Sequence, residues 1–490
     1  MKSDIEIHLN GETIKISGIR PDTTLLNWLR LHQQKTGTKE GGGEGDCGAC
    51  TVFVRLRKEQ ANGDAIDEMR AVNACILFMP MLDGAVIRTV EAIAGSDGTL
   101  HPVQQAMIAH HGAQCGFCTP GFITSLYHLW RQNMHFSTQE IEDGLAGNLC
   151  RCTGYGPIVA AAKSLRGDAI AAPAWEQDVI AQEDAFLDAF AAKQETLALC
   201  AENQSFFAPT TLSEAAKLYH DHQGAQILSG GTDIGLWVTK QHREMASFIY
   251  TGRIAELGAI IPSEGGVKIG AGVTHKQAME GLPNAPAALS EVWRRFGSAQ
   301  VRATGTVCGN VANGSPIGDI SPCFIALGAE VHLASSSGMR KVPIDQFFVS
   351  YGVQDRRDDE FVSAIFLPDL PSDAHFHAYK ISKRFDQDIS AVLLAMRLSL
   401  KGNVVRDVRI AYGGMAATPA RAFATEDFIL GKRIDALAEM RFSDVVGQDF
   451  TPLSDMRASA HYRLQAAANL LQKAFIEQTE KTSFYLAGAR

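Results

Sequence analysis

Four cysteines of this chain have a spacing that suits a soft metal centre. Cys115 and Cys118 form a C-x2-C pair, and Cys150 and Cys152 form a C-x-C pair further along the chain. Thiolate sulfur suits zinc, Cu(I) and iron–sulfur clusters alike, whereas structural zinc sites favour two C-x2–4-C knuckles. Because the C-x-C pair is tighter than such a knuckle, the spacing favours a [2Fe–2S] cluster. A zinc site and a set of buried structural thiols are the alternatives.

A second group of three cysteines lies upstream, at Cys47, Cys50 and Cys75. A plant-type [2Fe–2S] loop reads C-x4-C-x2-C…C, and counting back from Cys47 puts its first ligand at Gly42. The fourth position is therefore open, or it is filled by water, an outside thiol or a nearby carboxylate such as Asp46. Two interpretations remain: a bound but weakened cluster, or a loop that no longer holds metal.

Glycine-dense segments in the second half of the chain suit a phosphate-containing cofactor. Ile227–Ile234 reads as a strand that runs into a Gly-Gly turn, whose bare backbone can cradle a pyrophosphate. Gly270–Thr274 and Gln300–Asp319 add polar, glycine-rich runs that look like poor core material and offer donors and acceptors to phosphates and a ribityl chain. No G-x-G-x-x-G follows the first strand, which argues against a Rossmann site. The pattern favours FAD, with a purely structural turn as the alternative.

The elements that must position the cysteines can be predicted from periodicity and turn residues. Residues 4–16 alternate around Asn10-Gly11, a two-residue hairpin signal. A capped helix is predicted from Leu25, and a strand from Thr51 follows the glycine-rich loop. This order is typical of a small β-grasp ferredoxin. Helical patterns, including Ile123–Arg131 and Thr138–Asn148, then carry the second cysteine group.

The remainder of the chain is predicted to be mixed. Residues 166–203 read as a linker with helical tendency, Ser382–Tyr412 as strands, and Ala458–Gln478 as helix. The predicted fold class is α+β multidomain. It comprises a β-grasp ferredoxin-like domain, a four-helix [2Fe–2S] domain, an α/β FAD-binding domain and a C-terminal α+β subdomain. With the linker at 166–203, the predicted domains span 1–90, 91–165, 204–372 and 373–490.

Composition and charge exclude several classes of function. The 490 residues are 46% hydrophobic and 20% charged, which is ordinary for a globular protein with sizeable cores. A net charge of −9 without a basic stripe argues against nucleic acid as a partner, and no apolar run of about 18 residues predicts a membrane span. Met1–His8 lacks the apolar core of a secretion signal, so we expect a cytoplasmic protein. There, ten cysteines indicate metal ligation more than disulfides.

With these motifs in place, the chain resembles a known family across essentially its whole length. The most specific matches are Gln114–Gly121, Gly147–Gly154, Gly305–Asp319 and Lys383–Ser390. They are similar to the iron–sulfur and flavin subunits of bacterial xanthine dehydrogenases, within the molybdenum hydroxylase family. The resemblance implies two [2Fe–2S] clusters, FAD, and NAD⁺ as acceptor. It also implies a separate large subunit that carries molybdopterin, in a heterodimer or a dimer of heterodimers.

The resemblance also implies roles for individual residues. The helical-domain cluster would be held by Cys115, Cys118, Cys150 and Cys152, and the N-terminal cluster by Cys47, Cys50, Cys75 and the position of Gly42. Gln114 matches a glutamine beside the partner's molybdopterin, with a cap or loop amide as the alternative. The implied flavin contacts are Ile227, Leu228, Ser229, Gly230, Gly231, Thr232, Asp233, Ile234, Phe296, Thr306, Val307, Cys308, Gly309, Asn310, Asp319 and Lys380.

Two residues depart from the family pattern, and two others are ambiguous. Gly42 replaces a cysteine ligand. Cys308 stands where glycine is common, and its Cβ would crowd a backbone that needs positive φ; we expect a buried structural thiol rather than a redox thiol. Asp386 and Asp388 lie in a tract that matches a loop near the flavin. They either tune NAD⁺ access or are exposed, solvated carboxylates.

The resemblance implies the function of an electron-transfer subunit. Hypoxanthine or xanthine would be hydroxylated at molybdenum in the partner, and electrons would pass through both clusters to FAD and then to NAD⁺. Because the cofactors carry this chemistry, we assign no catalytic acid, base or nucleophile to the chain. The alternatives are the iron–sulfur and flavin part of an aldehyde, nicotinate or carbon monoxide hydroxylase, and a non-enzymatic metal-binding scaffold.

Overall fold

A computed structural model describes residues 1–59, 65–132, 135–167, 172–193 and 195–483. The chain divides into two compact units. Unit 1 comprises Met1–Ala259, Gly272–Gln277 and Gly297–Thr306; unit 2 comprises Ile260–Ala271, Ala278–Phe296 and the chain from Val307 onward. No helix in the described ranges has the length and apolar character needed to cross a bilayer.

Unit 1 begins with a five-stranded sheet in the order β2-β1-β5-β3-β4. Its β1–β2 hairpin turns through Asn10 and Gly11, at φ 52° and 96°, as the sequence predicts. The predicted helix begins as α1 at the Thr24 cap and continues into the π-helical turn Trp28–His32. The elements are β1 (Ile5–Leu9), β2 (Glu12–Ile16), α1 (Leu25–Asn27), β3 (Thr51–Glu59), β4 (Ala65–Asn73), β5 (Val86–Arg88) and the 3₁₀ turns Met79–Leu82 and Val90–Ala92.

Four helices follow the sheet and form the helical domain. Helix α2 begins at a capping box in which His101 and Gln104 satisfy each other's backbone N–H groups, and α4 begins at a Ser137–Glu140 box. The helices pack around a core that includes Phe122. They are α2 (Pro102–Ala109), α3 (Thr119–Gln132), α4 (Thr138–Leu145) and α5 (Gly156–Ser164).

Helix α6 (Ala174–Ala191) is fastened to these domains by buried ion pairs. Glu183 Oε1 accepts a hydrogen bond from Arg88 Nε at 2.7 Å, and Glu183 Oε2 lies 3.3 Å from Arg131 Nη2. Glu176 is fully buried and lies 3.1 Å from Arg131. Because an unpaired buried charge is strongly destabilising, these pairs hold α6 against the strand and helix that carry the arginines.

The rest of unit 1 contains a four-stranded sheet in the order β6-β7-β9-β8. Its Phe248 packs against Phe78 of the first sheet's core, with the ring centroids 5.5 Å apart and the rings tilted by 52°. The elements are β6 (Leu197–Ala201), β7 (Gln204–Ala208), α7 (Leu212–Asp221), β8 (Gln226–Leu228), α8 (Ile234–Thr239), β9 (Ser247–Tyr250) and the 3₁₀ turn Ala255–Leu257.

Unit 2 contains a five-stranded antiparallel sheet, β10-β11-β16-β12-β13, and a four-stranded sheet, β17-β18-β19-β20. The strands are β10 (Ile260–Ser263), β11 (Gly266–Gly270), β12 (Glu330–Ser335), β13 (Gly338–Pro343), β14 (Phe348–Ser350), β15 (Val353–Gln354), β16 (Phe361–Pro368), β17 (Ala374–Ile381), β18 (Val392–Lys401), β19 (Val404–Gly413) and β20 (Ala420–Arg421). The helices from residue 275 onward are α9 (His275–Gly281), α10 (Ala287–Arg294), α11 (Ala299–Thr304), α12 (Val307–Asn313), α13 (Ile320–Leu327), α14 (Ile344–Phe347), α15 (Phe423–Ile429), α16 (Ile434–Ala438), α17 (Ser443–Asp449) and α18 (Ala460–Glu480).

These elements confirm the predicted fold class, and two local predictions need correction. Gln300–Asp319 was predicted to be poor core material, yet α11 and α12 run through it and Gln300, Cys308 and Val311 are buried. Within Ser382–Tyr412, residues 382–391 form a loop. There Asp388 accepts the N–H groups of Lys383 and Arg384 and supplies the hydrogen bonds that a strand would otherwise need.

Candidate iron–sulfur and flavin sites

The downstream cysteines meet in two cross-pairs. Cys115 and Cys118 precede α3, while Cys150 and Cys152 lie between α4 and α5. The thiol of Cys115 hydrogen-bonds with that of Cys152, and the thiol of Cys118 with that of Cys150. In a four-cysteine [2Fe–2S] cluster each iron takes two protein thiolates. Pairing across the two motifs therefore supplies what two irons need.

The pairwise arrangement differs from a single-ion cage. In the part of the chain that the structure describes, no three His, Cys, Asp or Glu side chains converge as ligands of one ion. A structural zinc site gathers four ligands around a single centre. The two thiol pairs therefore fit the [2Fe–2S] interpretation of the spacing.

The environment of the downstream pairs is asymmetric. The Phe117 backbone N–H, followed by the Cys152 thiol, lowers the pKa of Cys115, whereas burial raises the pKa of Cys118 to about 12. Cys115 and Cys152 are exposed, as is Gln114 beside them. Phe117 is 46% exposed. One side of this group is therefore open.

The upstream cysteines form one complete pair and one incomplete pair. The buried Cys50 thiol donates to Cys75 Sγ at 3.3 Å, which raises the pKa of Cys50 and lowers that of Cys75. Cys47 Sγ lies against the backbone of Gly41, where an added Cβ would be 2.7 Å from the sulfur. The adjacent Gly42 brings no side chain to Cys47, and its carbonyl accepts a hydrogen bond from Lys240 Nζ.

The two cysteine loops touch each other through their backbones. The N–H of Leu149, next to Cys150, donates to the carbonyl of Cys47 at 3.0 Å. A Cβ on Gly48 would overlap the carbonyl oxygen of Gly147, and a Cβ on Gly121 would overlap that of Gly48. Glycine is therefore required where the loops meet.

A residue that the sequence analysis did not single out bridges the loops. Gln300 on α11 is fully buried. Its Nε2 donates to Asn148 Oδ1 at 3.0 Å and to Thr51 Oγ1 at 3.2 Å. The N–H of Ala299 donates to the carbonyl of Ala146 at 2.7 Å. No local sequence signal marks Gln300, because its partners are distant along the chain.

The predicted Gly-Gly turn lies beside the upstream cysteines. It connects β8 to α8, and a Cβ on Gly230 would overlap the carbonyl oxygen of Thr304. A Cβ on Gly235, at the start of α8, would lie 2.6 Å from the carbonyl oxygen of Ile76. Ile76 directly follows Cys75. The turn therefore packs on the residue next to a candidate ligand.

A small, open cavity with a volume of about 30 Å³ borders the same turn within unit 1. Apolar side chains from β3 and β4 line it together with Lys58 and Arg70, whose cations suit phosphate oxygens. Its other polar lining comes from Ser229, Thr304, Thr306 and Tyr250 among others. Bare glycine backbone and hydroxyls suit a phosphate-bearing group, whereas Lys58 and Arg70 both already pair with Glu68.

The remaining candidate flavin residues belong to unit 2. Asp319 and Lys380 form a buried pair at 2.6 Å, and Asp319 also accepts from Ser390 at 2.5 Å. Asn310 Oδ1 is buried without a hydrogen-bond partner among the described residues, so it can accept a bond from a ligand. Phe296 follows α10, while Val307, Cys308 and Gly309 begin α12.

Three of the ambiguous residues now have defined surroundings. Cys308 is buried in α12 and its thiol donates to the carbonyl of Ile269 at 3.5 Å; burial raises its pKa. Its φ is not positive, so the expected crowding does not arise. Asp386 and Asp388 are half-buried, which corrects the interpretation that they are exposed carboxylates.

Family models match most of the chain in three segments. A model of the FAD binding domain in molybdopterin dehydrogenase matches residues 201–370. A [2Fe-2S] binding domain model matches residues 89–163, and the CO dehydrogenase flavoprotein C-terminal domain matches residues 377–478. The chain therefore has iron–sulfur and FAD-binding domains.

Similar curated proteins include two xanthine dehydrogenases. The Drosophila subobscura protein is 30% identical over 97% of this chain and 39% of its own length. The Emericella nidulans protein is 31% identical over 88% of this chain and 35% of its own length. The chain thus spans about two-fifths or less of these relatives.

Solved structures of two other oxidoreductases are also similar. A carbon monoxide dehydrogenase chain from Hydrogenophaga pseudoflava matches with a TM-score of 0.53 and 25% identity, over 57% of this chain and 98% of that one. A quinoline 2-oxidoreductase chain from Pseudomonas putida 86 matches with a TM-score of 0.51 and 24% identity, over 56% of this chain and 97% of that one. The second match shows a common fold.

Proposed function

This chain belongs to the molybdenum hydroxylase family as an iron–sulfur and flavin protein, and from that premise we propose the route that its electrons take. Cys115, Cys118, Cys150 and Cys152 would hold the helical-domain cluster at which electrons enter. Cys47, Cys50 and Cys75 would hold the N-terminal cluster that follows it, and Ile227–Ile234 would lie beside FAD, the last centre.

A continuous series of contacts in unit 1 supports this order. Leu149, next to Cys150, hydrogen-bonds to Cys47, and Ile76, next to Cys75, packs on Gly235 behind the flavin turn. Leu149 thus connects the downstream cysteines to Cys47, and Ile76 connects Cys75 to the start of α8. This series is the observation that carries the proposal.

The chain's residues position and insulate the cofactors rather than react. When bound, the clusters exchange single electrons and the flavin collects two. Asn148 and Gln300 hold the two cysteine loops together, and the bare glycines allow the close backbone approach. In unit 2, the Asp319–Lys380 pair holds the 382–391 loop through Ser390 and the carbonyl of Asp388.

The open side of the helical domain suits a partner that delivers electrons. Gln114, Cys115 and Cys152 are exposed there, together with Phe117. We propose a molybdopterin-binding large subunit at this face, with Gln114 near its cofactor, in a heterodimer or a dimer of heterodimers. We also propose a cytoplasmic location, because no disulfide joins the cysteines and a reducing compartment preserves thiols for metal ligation.

We propose hypoxanthine or xanthine as the oxidised substrate and NAD⁺ as the final acceptor. The two dehydrogenase relatives carry xanthine in their names and match 88–97% of this chain. The carbon monoxide and quinoline enzymes are structural neighbours, and they define the competing substrates to be tested.

Steady-state assay of the chain assembled with its molybdopterin partner tests this choice. Xanthine with NAD⁺ should give turnover, whereas carbon monoxide, quinoline and aldehydes should give little. Activity with an aldehyde alone would contradict the substrate assignment. A colourless, zinc-containing protein would contradict the electron-transfer role itself.

A further inference from the structure

The N-terminal cysteine group lacks a ligand at one defined place. If each iron takes two ligands, the contact between Cys50 and Cys75 completes one iron of the proposed cluster. Cys47 then serves the other iron and needs one more ligand. The missing ligand belongs beside Cys47, which rests on the backbone of Gly41 next to Gly42.

The side chain of Glu44 lies against the position that a side chain at residue 42 would take. The three atoms nearest to a Cβ built on Gly42 all belong to Glu44: Cγ and Oε1 at 3.4 Å and Cδ at 3.7 Å. Asp46, the carboxylate that the sequence suggested, is not among them. Glu44 is exposed, so packing does not fix the conformation of its side chain.

The charges around the loop favour the same residue. A carboxylate carries the same unit charge as the thiolate that it replaces, so the net charge of the cluster is preserved; a water ligand would change it. Lys240 Nζ, held by the carbonyl of Gly42, supplies a cation beside the acidic loop. Glu40 lies nearer the complete pair: its carboxylate acts to raise the pKa of Cys75, and its Oε1 lies 2.9 Å from a Cβ built on Gly43.

We propose that Glu44 is the fourth ligand of the N-terminal cluster, completing the iron that Cys47 holds; this rests on the proposed electron-transfer function. The ligation changes no oxidation state: one carboxylate oxygen of Glu44 binds the iron. Oxygen is a harder donor than sulfur and suits a thiolate-rich cluster less well. The iron should therefore be lost to a chelator faster than from an all-cysteine cluster.

Iron content and electron paramagnetic resonance of the full-length chain test the proposal. The wild-type protein should hold about four irons and give two [2Fe–2S] signals after reduction. Glu44→Gln should lower this to about two irons and remove one signal. Glu12→Gln, which removes an exposed carboxylate of β2, is the control and should leave both unchanged. Gly42→Cys combined with Glu44→Gln should restore them.

Two results would overturn the proposal. Glu44→Gln with about four irons and both signals would assign the position to another ligand. Wild-type protein with about two irons and one signal would mean that the cluster does not assemble. In the first case, both signals and the flavin absorbance would leave the proposed electron route standing. In the second, the helical-domain cluster and FAD would remain, but the route through the N-terminal cluster would fail together with the ligand proposal. Loss of iron and flavin together from wild-type protein would overturn both.

Discussion

His101 shows how one buried residue serves both a helix and a core. Its Nδ1 accepts the N–H of Val103 at 3.2 Å and so caps α2. Its ring meets Trp130 edge to face, with centroids 4.4 Å apart. Burial, with smaller contributions from Arg88 and Arg131, lowers its pKa to about 3. The imidazole must be neutral to accept this bond, so the cap depends on pH.

Mild acid should therefore weaken the fold through His101. Between pH 7 and pH 5 the unfolded imidazole, with a pKa near 6.5, gains a proton that the folded one does not. The free energy of unfolding should fall by about 2 kcal/mol from this residue. His101→Asn keeps a capping side chain. Its free energy of unfolding should therefore fall by about 2 kcal/mol less between pH 7 and pH 5 than that of the wild-type protein. Urea unfolding at both pH values checks this, and equal losses in the two proteins would contradict it.

The contribution of the Asp319–Lys380 ion pair to stability can be measured by substitution. Both side chains are buried, at 5% and 2% exposure. Lys380→Met leaves the Asp319 carboxylate buried without its cation, so the free energy of unfolding should fall by about 3–5 kcal/mol. The exposed Arg433–Asp435 pair provides the control, and Arg433→Met should cause a much smaller loss, because water screens an exposed pair. Chemical denaturation measures both, and similar small losses would show that the buried pair is not required.

At the scale of elements, the meeting of the two cysteine loops is the sharpest constraint. Gly48 has φ +70° and no space for a Cβ, whereas Gly18 has φ +66° and open space around it. Gly18→Ala should cost only the backbone penalty, about 1–2 kcal/mol. Gly48→Ala should in addition push the loops apart and reduce iron content. Iron analysis with magnetic-resonance detection of coupling between the clusters checks this. Unchanged iron and coupling in Gly48→Ala would contradict the loop contact.

Local sequence signals predicted the elements that depend on neighbours along the chain. Asn10-Gly11 predicted the first hairpin, and Thr138–Asn148 predicted α4, because turn residues and helical periodicity act over short distances. The interior of Gln300–Asp319 could not be predicted this way. Gln300 is buried because it bonds Asn148 and Thr51, which are 152 and 249 residues away.

The same distinction applies to the candidate site. Motif spacing identified the seven candidate cysteines, since C-x2-C and C-x-C pairs are local. Motif spacing could not predict that Cys115 pairs with Cys152, nor that the Glu44 side chain lies against Gly42. Both contacts depend on the path of a loop through space. The sequence suggested Asp46 as one of several possible ligands, whereas the atoms nearest to a Cβ built on Gly42 belong to Glu44.

At the scale of the whole molecule, the compact units do not follow the linear order of the chain. Unit 1 takes in both cysteine-bearing domains and recovers Gly272–Gln277 and Gly297–Thr306 from later in the sequence. The second of these segments carries Gln300, which contacts the cysteine loops, and Thr304, which contacts Gly230 of the Gly-Gly turn. The predicted linear boundaries stay predictions, and a limited-proteolysis map would check them.

Anaerobic reductive titration of the purified chain, followed by visible absorbance, tests the central claim most directly. Two one-electron clusters and one two-electron flavin should take up about four electrons per chain. The bleaching should be shared between iron–sulfur and flavin bands. Uptake of about two electrons with flavin bleaching alone, or no uptake by a folded and colourless protein, would contradict a chain of redox centres.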